Sequence, residues 1–251
     1  MKATIHIKNR NLLVDLNKGI DLSIPIQTGE EHTKAWYIDH PKIDAVRIGN
    51  WVGSVSEGSA VNFNNIHFNP HAHGTHTECI GHITAEPISI NQCLKTFFFQ
   101  AALISITPEI KEEDRVISLK EVQERQAFIQ GNNALIIRTI PNLETKKHND
   151  YDNSNWAYIE ATAMEYLVKL GIEHILIDTP SVDKEKDEGL LKAHKAFWGF
   201  PSMKRKHCTI TEFIFVPNHI EDGEYILNLQ VAAFENDASP SRPVLYQEIK
   251  P

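Results

Sequence analysis

Strand signals dominate the first hundred residues, beginning with apolar and polar positions that alternate with a period close to two, the period of strands that bury one face. Ala3–Ile7 alternates in this way, and Leu12–Leu16 and Ile20–Ile26 are aliphatic-rich runs punctuated by Asn17, Gly19 and Pro25. Ala45–Val55 and Ala60–Phe68 read as two further strands about a turn at Glu57-Gly58-Ser59. Thr96–Ile106 is a continuous apolar run of strand length, the pattern of a strand covered on both faces. Helical spacing then alternates with strands. Leu119–Phe128 predicts a short helix and Ala134–Arg138 a strand. In Trp156–Leu170, Ile159, Ala163, Tyr166, Leu167 and Leu170 recur at helical spacing. Asp152, Asn153, Ser154 and Asn155 are its N-cap candidates, and Gly171 stands where a helix closes. Ile175-Leu176-Ile177 predicts a strand, Leu190–Phe197 a helix, and Thr209–Val216 and Ile226–Ala233 two last strands. Strands outnumber helices and 134–177 reads as a βαβ passage, so the expected class is mixed α/β (α+β), a largely β core flanked by helices. The polar stretches Glu109–Arg115, Glu144–Asn155 and Asp183–Glu188 are short enough for surface loops within one domain spanning 1–251.

Composition narrows the class. With 251 residues, 41% of them hydrophobic, the chain can bury a core without disulfide staples. A net charge of -8 argues against nucleic-acid and anionic-membrane partners. Cys79, Cys93 and Cys208 are widely spaced and form no CxxC pair, which fits a reducing compartment. The N-terminus lacks an apolar signal segment, and no apolar run reaches the roughly 20 residues of a membrane span, so a cytoplasmic, soluble protein is expected.

The chemistry concentrates in His71-Ala72-His73-Gly74-Thr75-His76-Thr77-Glu78-Cys79-Ile80-Gly81-His82, which holds four of the thirteen histidines. Imidazole is the commonest metal-ligating side chain, and imidazole with carboxylate suits zinc, manganese or iron. His76 and Glu78 are two apart and share a face if the segment is extended. Gly74 permits a close backbone approach before them, and Thr75 is placed to hydrogen-bond a ligating carboxylate. His82 returns to the same pocket if the chain turns at Gly81. A histidine-rich polar loop would show the same composition, so the weight rests on distant partners. His194 lies in an apolar helical stretch and Glu212 inside an apolar strand, where a carboxylate either faces solvent on an edge or meets a cation.

Gly74-Thr75-His76-x-Glu78-x-x-x-His82 resembles the signature H-x-G-T-H-x-D-x-P-x-H of the cyclase-like metal-dependent hydrolases, which include bacterial kynurenine formamidase and isatin hydrolase. Asp21-Leu22-Ser23, Asp178-Thr179-Pro180-Ser181-Val182-Asp183, Glu212-Phe213, Gly223-Glu224-Tyr225 and Asp237-Ala238-Ser239-Pro240-Ser241-Arg242-Pro243-Val244 are similar to that family's other motifs, in its order. The resemblance implies a swivelling β/β/α-type domain with one or two divalent ions, zinc first and manganese second. It implies metal ligation by His71, His76, Glu78, His194 and Glu212, with His82 as catalytic acid/base. The expected reaction is hydrolysis of a small-molecule amide through a metal-activated water, as from N-formylkynurenine to kynurenine and formate in tryptophan catabolism. A homodimer or tetramer is expected.

The chain departs from the signature at three places. Ala72 occupies the first histidine position, flanked by His71 and His73. His71 is the favoured first ligand, reached through a one-residue bulge, and His73 the alternative. Glu78 replaces an aspartate and Ile80 a proline. The segment between His194 and Glu212 is longer, and its neighbourhood offers Phe197, Trp198 and Phe200 as an aromatic wall, unless these rings pack the core. Rival readings are a metal-dependent cyclase or dehydratase, a cyclic-amide hydrolase, a non-catalytic metal or ligand binder on the same fold, and a cysteine hydrolase built on Cys79.

Overall fold

The computed structural model describes residues 1–7, 10–29 and 31–249. Its core is a nine-stranded sheet whose strands, numbered along the chain, are β1 (Ile20–Asp21), β2 (His76–Glu78), β3 (Phe98–Ile106), β4 (Ala134–Thr139), β5 (His174–Ile177), β6 (Thr209–Glu212), β7 (Gly223–Asn228), β8 (Ala238–Pro240) and β9 (Val244–Tyr246). The spatial order is β8-β2-β6-β5-β4-β3-β7-β9-β1. The four central strands β3 to β6 are parallel, and all other pairings are antiparallel. Sequence order equals spatial order through the parallel strands, so each crossover carries the chain one strand further in the same direction.

Period-two alternation sorts the parallel strands into two buried faces. Ile104, Ile106, Leu135, Ile137, Ile175, Ile177 and Ile210 face the helices, meeting Val122, Ile129, Ala163, Met164, Leu167, Ala193 and Phe197. Phe99, Ala101, Leu103, Ile136, Leu176 and Leu227 face the other side, where Leu22, Ile90, Leu94 and Ile214 cover them. Both faces are dry, which explains why these strands read as unbroken apolar runs. The C-terminal ends Ile106, Thr139, Ile177 and Glu212 line up along one edge of the sheet. That edge is where open parallel sheets take ligands.

Several elements differ from the sequence expectation, each for a local reason. The helix expected over Trp156–Leu170 spans only Ala161–Lys169. Tyr158–Ile159 is a strand paired in parallel with Val116 and Ile117, and the Glu160 amide is spent on the Ile117 carbonyl. Asp152 to Asn155 therefore lie outside the helix, while Gly171 does close it, at φ 88°. The Leu119–Phe128 helix splits into Leu119–Glu124 and Gln126–Ile129 at Arg125, after a capping box between Ser118 and Glu121. The predicted strand Thr209–Val216 stops at Glu212 because Phe213 takes a left-handed φ of 55°. The last predicted strand sits at Gly223–Asn228, since its partner begins at Phe98, opposite Asn228. Ile20–Ile26 shortens to Ile20–Asp21, where the Asp21 carboxylate accepts the Ser23 amide and turns the chain. Glu109–Arg115 belongs to a hairpin rather than a loop.

Residues 42–67 form an arm whose strands pair only among themselves, Lys42–Ala45 with Asn64–His67 and Arg47–Ile48 with Trp51–Val52. The long strand read over Ala45–Val55 is broken into Arg47–Ile48 and Trp51–Val52, which pair with each other, and a short 3₁₀ turn, Val55–Glu57, follows them. The arm exposes Ile43, Ile48, Val55, Val61, Phe63 and Ile66. Among the described residues no helix is long and apolar enough to cross a membrane.

Candidate metal centre

Pairing of β2 with β6 builds the floor of the site. His76 lies directly opposite Glu212, and His76 and Glu78 share a face while Thr77 points the other way, its hydroxyl 2.8 Å from that of Thr211. His76 donates from Nδ1 to the Gly74 carbonyl at 3.1 Å, which leaves Nε2 turned inward, 3.3 Å from Glu212 Oε2. The other Glu212 oxygen accepts the Val182 amide at 2.8 Å. Thr75 does not reach a ligating carboxylate, as its position in the motif had led us to expect. Its hydroxyl donates to the Phe213 carbonyl and accepts the Ile24 amide, and so it clamps the left-handed turn behind Glu212.

Two short helices bring in the rest. His194 sits in the first turn of Lys192–Trp198, where Asp183 accepts the amides of Ala193 and His194 and the His194 Nδ1–H, at 2.7, 3.1 and 2.6 Å. This leaves Nε2 of His194 2.9 Å from Glu78 Oε1 and 3.9 Å from Glu212 Oε1. His82 lies on the 3₁₀ turn Ile80–Ile83, with Nε2 3.8 Å from Glu78 Oε2. That turn depends on Gly81, because a Cβ there would stand 2.0 Å from the Ile88 carbonyl oxygen. Gly81→Ala is expected to cost about 1–3 kcal/mol through overpacking and to reduce the metal capacity of the folded protein. Urea denaturation with metal analysis checks both.

The ambiguity at Ala72 is decided by Asn69. Its side chain accepts the His71 amide and its carbonyl the Ala72 amide, so the chain turns and His71 faces the site, Nδ1 3.3 Å from Glu78 Oε2. His73 faces away. Its Nε2 donates to the Asp39 carbonyl and its Nδ1 accepts the Asn69 amide, which commits both nitrogens. The structure thus gathers His71, His76, Glu78, His82, His194 and Glu212, and leaves His73 outside. It also adds two acids that sequence reasoning gave no role, Asp183 behind His194 and Asp237 behind His71 and His82. Both stood inside quoted motifs, but their partners are far along the chain and no local spacing reveals them.

Burial and charge describe the same site. Side-chain exposure is 0% for His76 and Glu78, 2% for His194 and 4% for Glu212, against 20% for His71, 30% for His82 and 26% for Asp237. Among the described residues of the centre, the exposed side is therefore that of His71, His82 and Asp237. Burial works against ionisation of Glu78, yet His82 and His194 hold it well below the ordinary carboxylate range. Burial likewise opposes charge on His71, but the neighbouring carboxylates of Asp237 and Glu78 raise it to about 10. The His194 imidazole is raised, against its burial, by Glu78 and Asp183.

A divalent ion fits this donor set. His76 Nε2 and Glu78 Oε2 are buried and lack a hydrogen-bond partner among the described residues, an arrangement that costs about 1–3 kcal/mol per group unless something else binds there. Ligand atoms of His71, His76 and Glu78 lie within 4.8 Å of one another, as do those of Glu78, His82 and His194. Glu78 belongs to both groups. Phe197 and Trp198 are not an exposed wall. Both are fully buried, and the Trp198 indole donates to the Cys208 carbonyl while its ring backs His194 at 5.6 Å. Phe200 is 38% exposed. The Cys79 thiol is held protonated by a hydrogen bond with Cys93 and by burial, the opposite of a nucleophile's setting.

Residues 20–184 match the Cyclase family, a stretch that carries the D-L-S motif, the histidine segment and the D-T-P-S-V-D motif. The chain belongs to that family. It is similar to the kynurenine formamidase of Delftia acidovorans, with 27% identity over 200 residues, 78% of this chain and 85% of that protein. It is also similar to the kynurenine formamidase of Bacillus cytotoxicus, with 30% identity over 130 residues, 51% of this chain; that match spans just over half, 56%, of the relative. The isatin hydrolase A of Labrenzia aggregata superposes with a TM-score of 0.67 over 92% of this chain and 94% of that one, at 11% identity, so the fold is shared. Membership in the Cyclase family thus agrees with the resemblance carried by the motifs.

Proposed function

We propose that this single-domain Cyclase-family member is a metal-dependent amide hydrolase of the arylformamidase type, converting N-formylkynurenine to kynurenine and formate in tryptophan catabolism. The observation that carries this reading is a pair of ligand groups sharing Glu78, one with His71 and His76 and one with His82 and His194, beside which Glu212 lies 3.3 Å from His76 and 3.9 Å from His194. Similarity to two kynurenine formamidases supports the substrate class. Zinc is favoured and manganese is second, because imidazole and carboxylate suit both. His71, His76 and Glu78 would hold one ion, and Glu78, His194 and Glu212 a second. A bound divalent ion supplies Lewis acidity toward the amide carbonyl and brings a water's pKa toward about 7.

The remaining work falls to the protein. Asp183 and the Gly74 carbonyl hold His194 and His76 by their Nδ1–H groups, so that both present Nε2. His82 accepts a proton from the attacking water at Nε2 and returns it to the leaving nitrogen. Substrate enters on the His71–His82–Asp237 side.

The exposed apolar arm supports a homo-oligomer, dimer or tetramer, since apolar patches of this kind mark interaction sites. Light scattering on the purified chain is expected to give at least twice 28.5 kDa. A monomer of undiminished activity would remove that element. Three free cysteines fit a cytoplasmic setting. The functional test is metal analysis of the purified protein coupled to hydrolysis of N-formylkynurenine, with isatin in parallel, before and after chelation. Chelator-sensitive formate release is the expected result. Bound metal with no turnover of either substrate would overturn the assignment.

A further inference from the structure

We propose that Asp237 is a positioning residue whose single oxygen Oδ2 sets the tautomers of His71 and His82, and so decides which nitrogen each presents to the centre. The inference deepens the hydrolase reading and rests on the roles given there to the two histidines. Oδ2 lies 2.9 Å from His71 Nε2 and 3.1 Å from His82 Nδ1. The two rings lie 4.3 Å apart at 31°, nearly stacked, between that oxygen and Glu78. Their inner nitrogens, His71 Nδ1 and His82 Nε2, lie 3.3 and 3.8 Å from Glu78 Oε2.

A histidine that ligates a metal or accepts a proton is neutral and carries one N–H, and a carboxylate accepts but cannot donate. Anchoring each outer N–H on Asp237 therefore leaves each inner nitrogen with a lone pair. For His71 that lone pair is on Nδ1, whereas His76 and His194 turn Nε2 inward. The reversal follows from where the anchoring acceptor stands. For His82 the lone pair is on Nε2, the proton acceptor the reaction needs. The same logic orients the histidine of an Asp-His-Ser triad.

Asp237 is itself held against the site. Its carbonyl accepts the Cys79 amide at 3.0 Å, and the next residue, Ala238, pairs with Glu78 across β8 and β2. Gly81 leaves room for it, since a Cβ there would come within 3.3 Å of the Asp237 Cβ. Asp237 is thus tied by backbone to the strand that carries Glu78, and two imidazoles fill the space between the two carboxylates.

Two measurements test the proposal on the full chain loaded with zinc. Long-range ¹H–¹⁵N NMR of the histidine rings, assigned with His82→Ala, is expected to show His82 as the Nδ1–H tautomer and His71 as the Nε2–H tautomer, with both lost in Asp237→Ala. The Nε2–H tautomer at His82, or unchanged spectra in the variant, would overturn it. Kinetically, the near-isosteric Asp237→Asn at saturating zinc is expected to lower kcat about 10–100-fold with KM little changed. Combined with His82→Ala, its loss should be smaller than in the wild-type background, because only the share that passes through His71 remains. Fully multiplying losses would show that Asp237 does not act through His82 and would overturn that role. If Asp237→Ala does not fold, Asp237→Asn carries the kinetic arm. If the wild type does not hydrolyse N-formylkynurenine, the functional reading fails while the tautomer measurement still decides the role of Asp237.

Discussion

Glu78→Gln is expected to abolish metal binding and hydrolysis together. Glu78 is the one residue common to the two ligand groups in which His76 and His194 take part, and its oxygens divide between them. Oε1 faces His194 at 2.9 Å, while Oε2 faces His71 at 3.3 Å and His82 at 3.8 Å. Glutamine keeps the shape but replaces one oxygen with an NH₂ group, which cannot ligate and would point its hydrogens at imidazole nitrogens. It also removes the charge that offsets a cation in a fully buried position, where an uncompensated charge is costly. Loss of an outer-shell partner lowers metal affinity about 10–100-fold, and loss of this central ligand should exceed that range. Metal content after dialysis, measured beside turnover, checks the expectation. Full metal content with full turnover would show that Glu78 is not a ligand.

His82→Ala is expected to separate the two properties that Glu78→Gln removes together. His82 is the most exposed of the four clustered histidines, with its side chain 30% accessible, and its Nε2, 3.8 Å from Glu78, lies farther from that carboxylate than the inner nitrogens of His71 and His194. Its removal should leave His71, His76, Glu78, His194 and Glu212 in place and metal bound. Turnover should fall about 10²–10⁴-fold, the range of a lost general acid–base. Unchanged turnover would end that role for His82. Loss of metal would instead move His82 into the ligand set, a geometry its grouping with Glu78 and His194 allows. Metal stoichiometry with kcat distinguishes the outcomes.

What was legible at the site followed the reach of local geometry. His76 and Glu78 could be placed on one face because a strand has a period of two, and His82 could be brought back because Gly81 allows a turn. His194 and Glu212 stood out as polar residues in apolar elements, and both prove buried at the centre. Thr75 was misjudged because its hydroxyl has nearer backbone partners than any carboxylate, namely Ile24 and Phe213. Phe197 and Trp198 looked equally able to line a pocket or a core, and the packing of Lys192–Trp198 against the sheet made them core. Asp237 contacts His71 from 166 positions away, so nothing in the spacing of either segment points to the other.

The fold divides in the same way. Alternation and continuous apolar runs located β3, β4 and β5, because strands buried on both faces leave an unmistakable composition. The start of Ala161–Lys169, the end of β6 at Phe213 and the arm over 42–67 depended on partners that one segment cannot show: the Ile117 carbonyl, the Thr75 hydroxyl, and strands that pair only within the arm. The sequence by itself located the buried strands β3, β4 and β5 through their local period, and the resemblance to the family supplied the order of the motifs and the expected donor set. Tertiary structure alone decided that His71 and not His73 faces Glu78, that Asp183 and Asp237 stand behind the histidines, and which ring nitrogen each presents. Those choices are made by hydrogen-bond acceptors brought close in space by strand pairing, and separation along the chain carries no record of them.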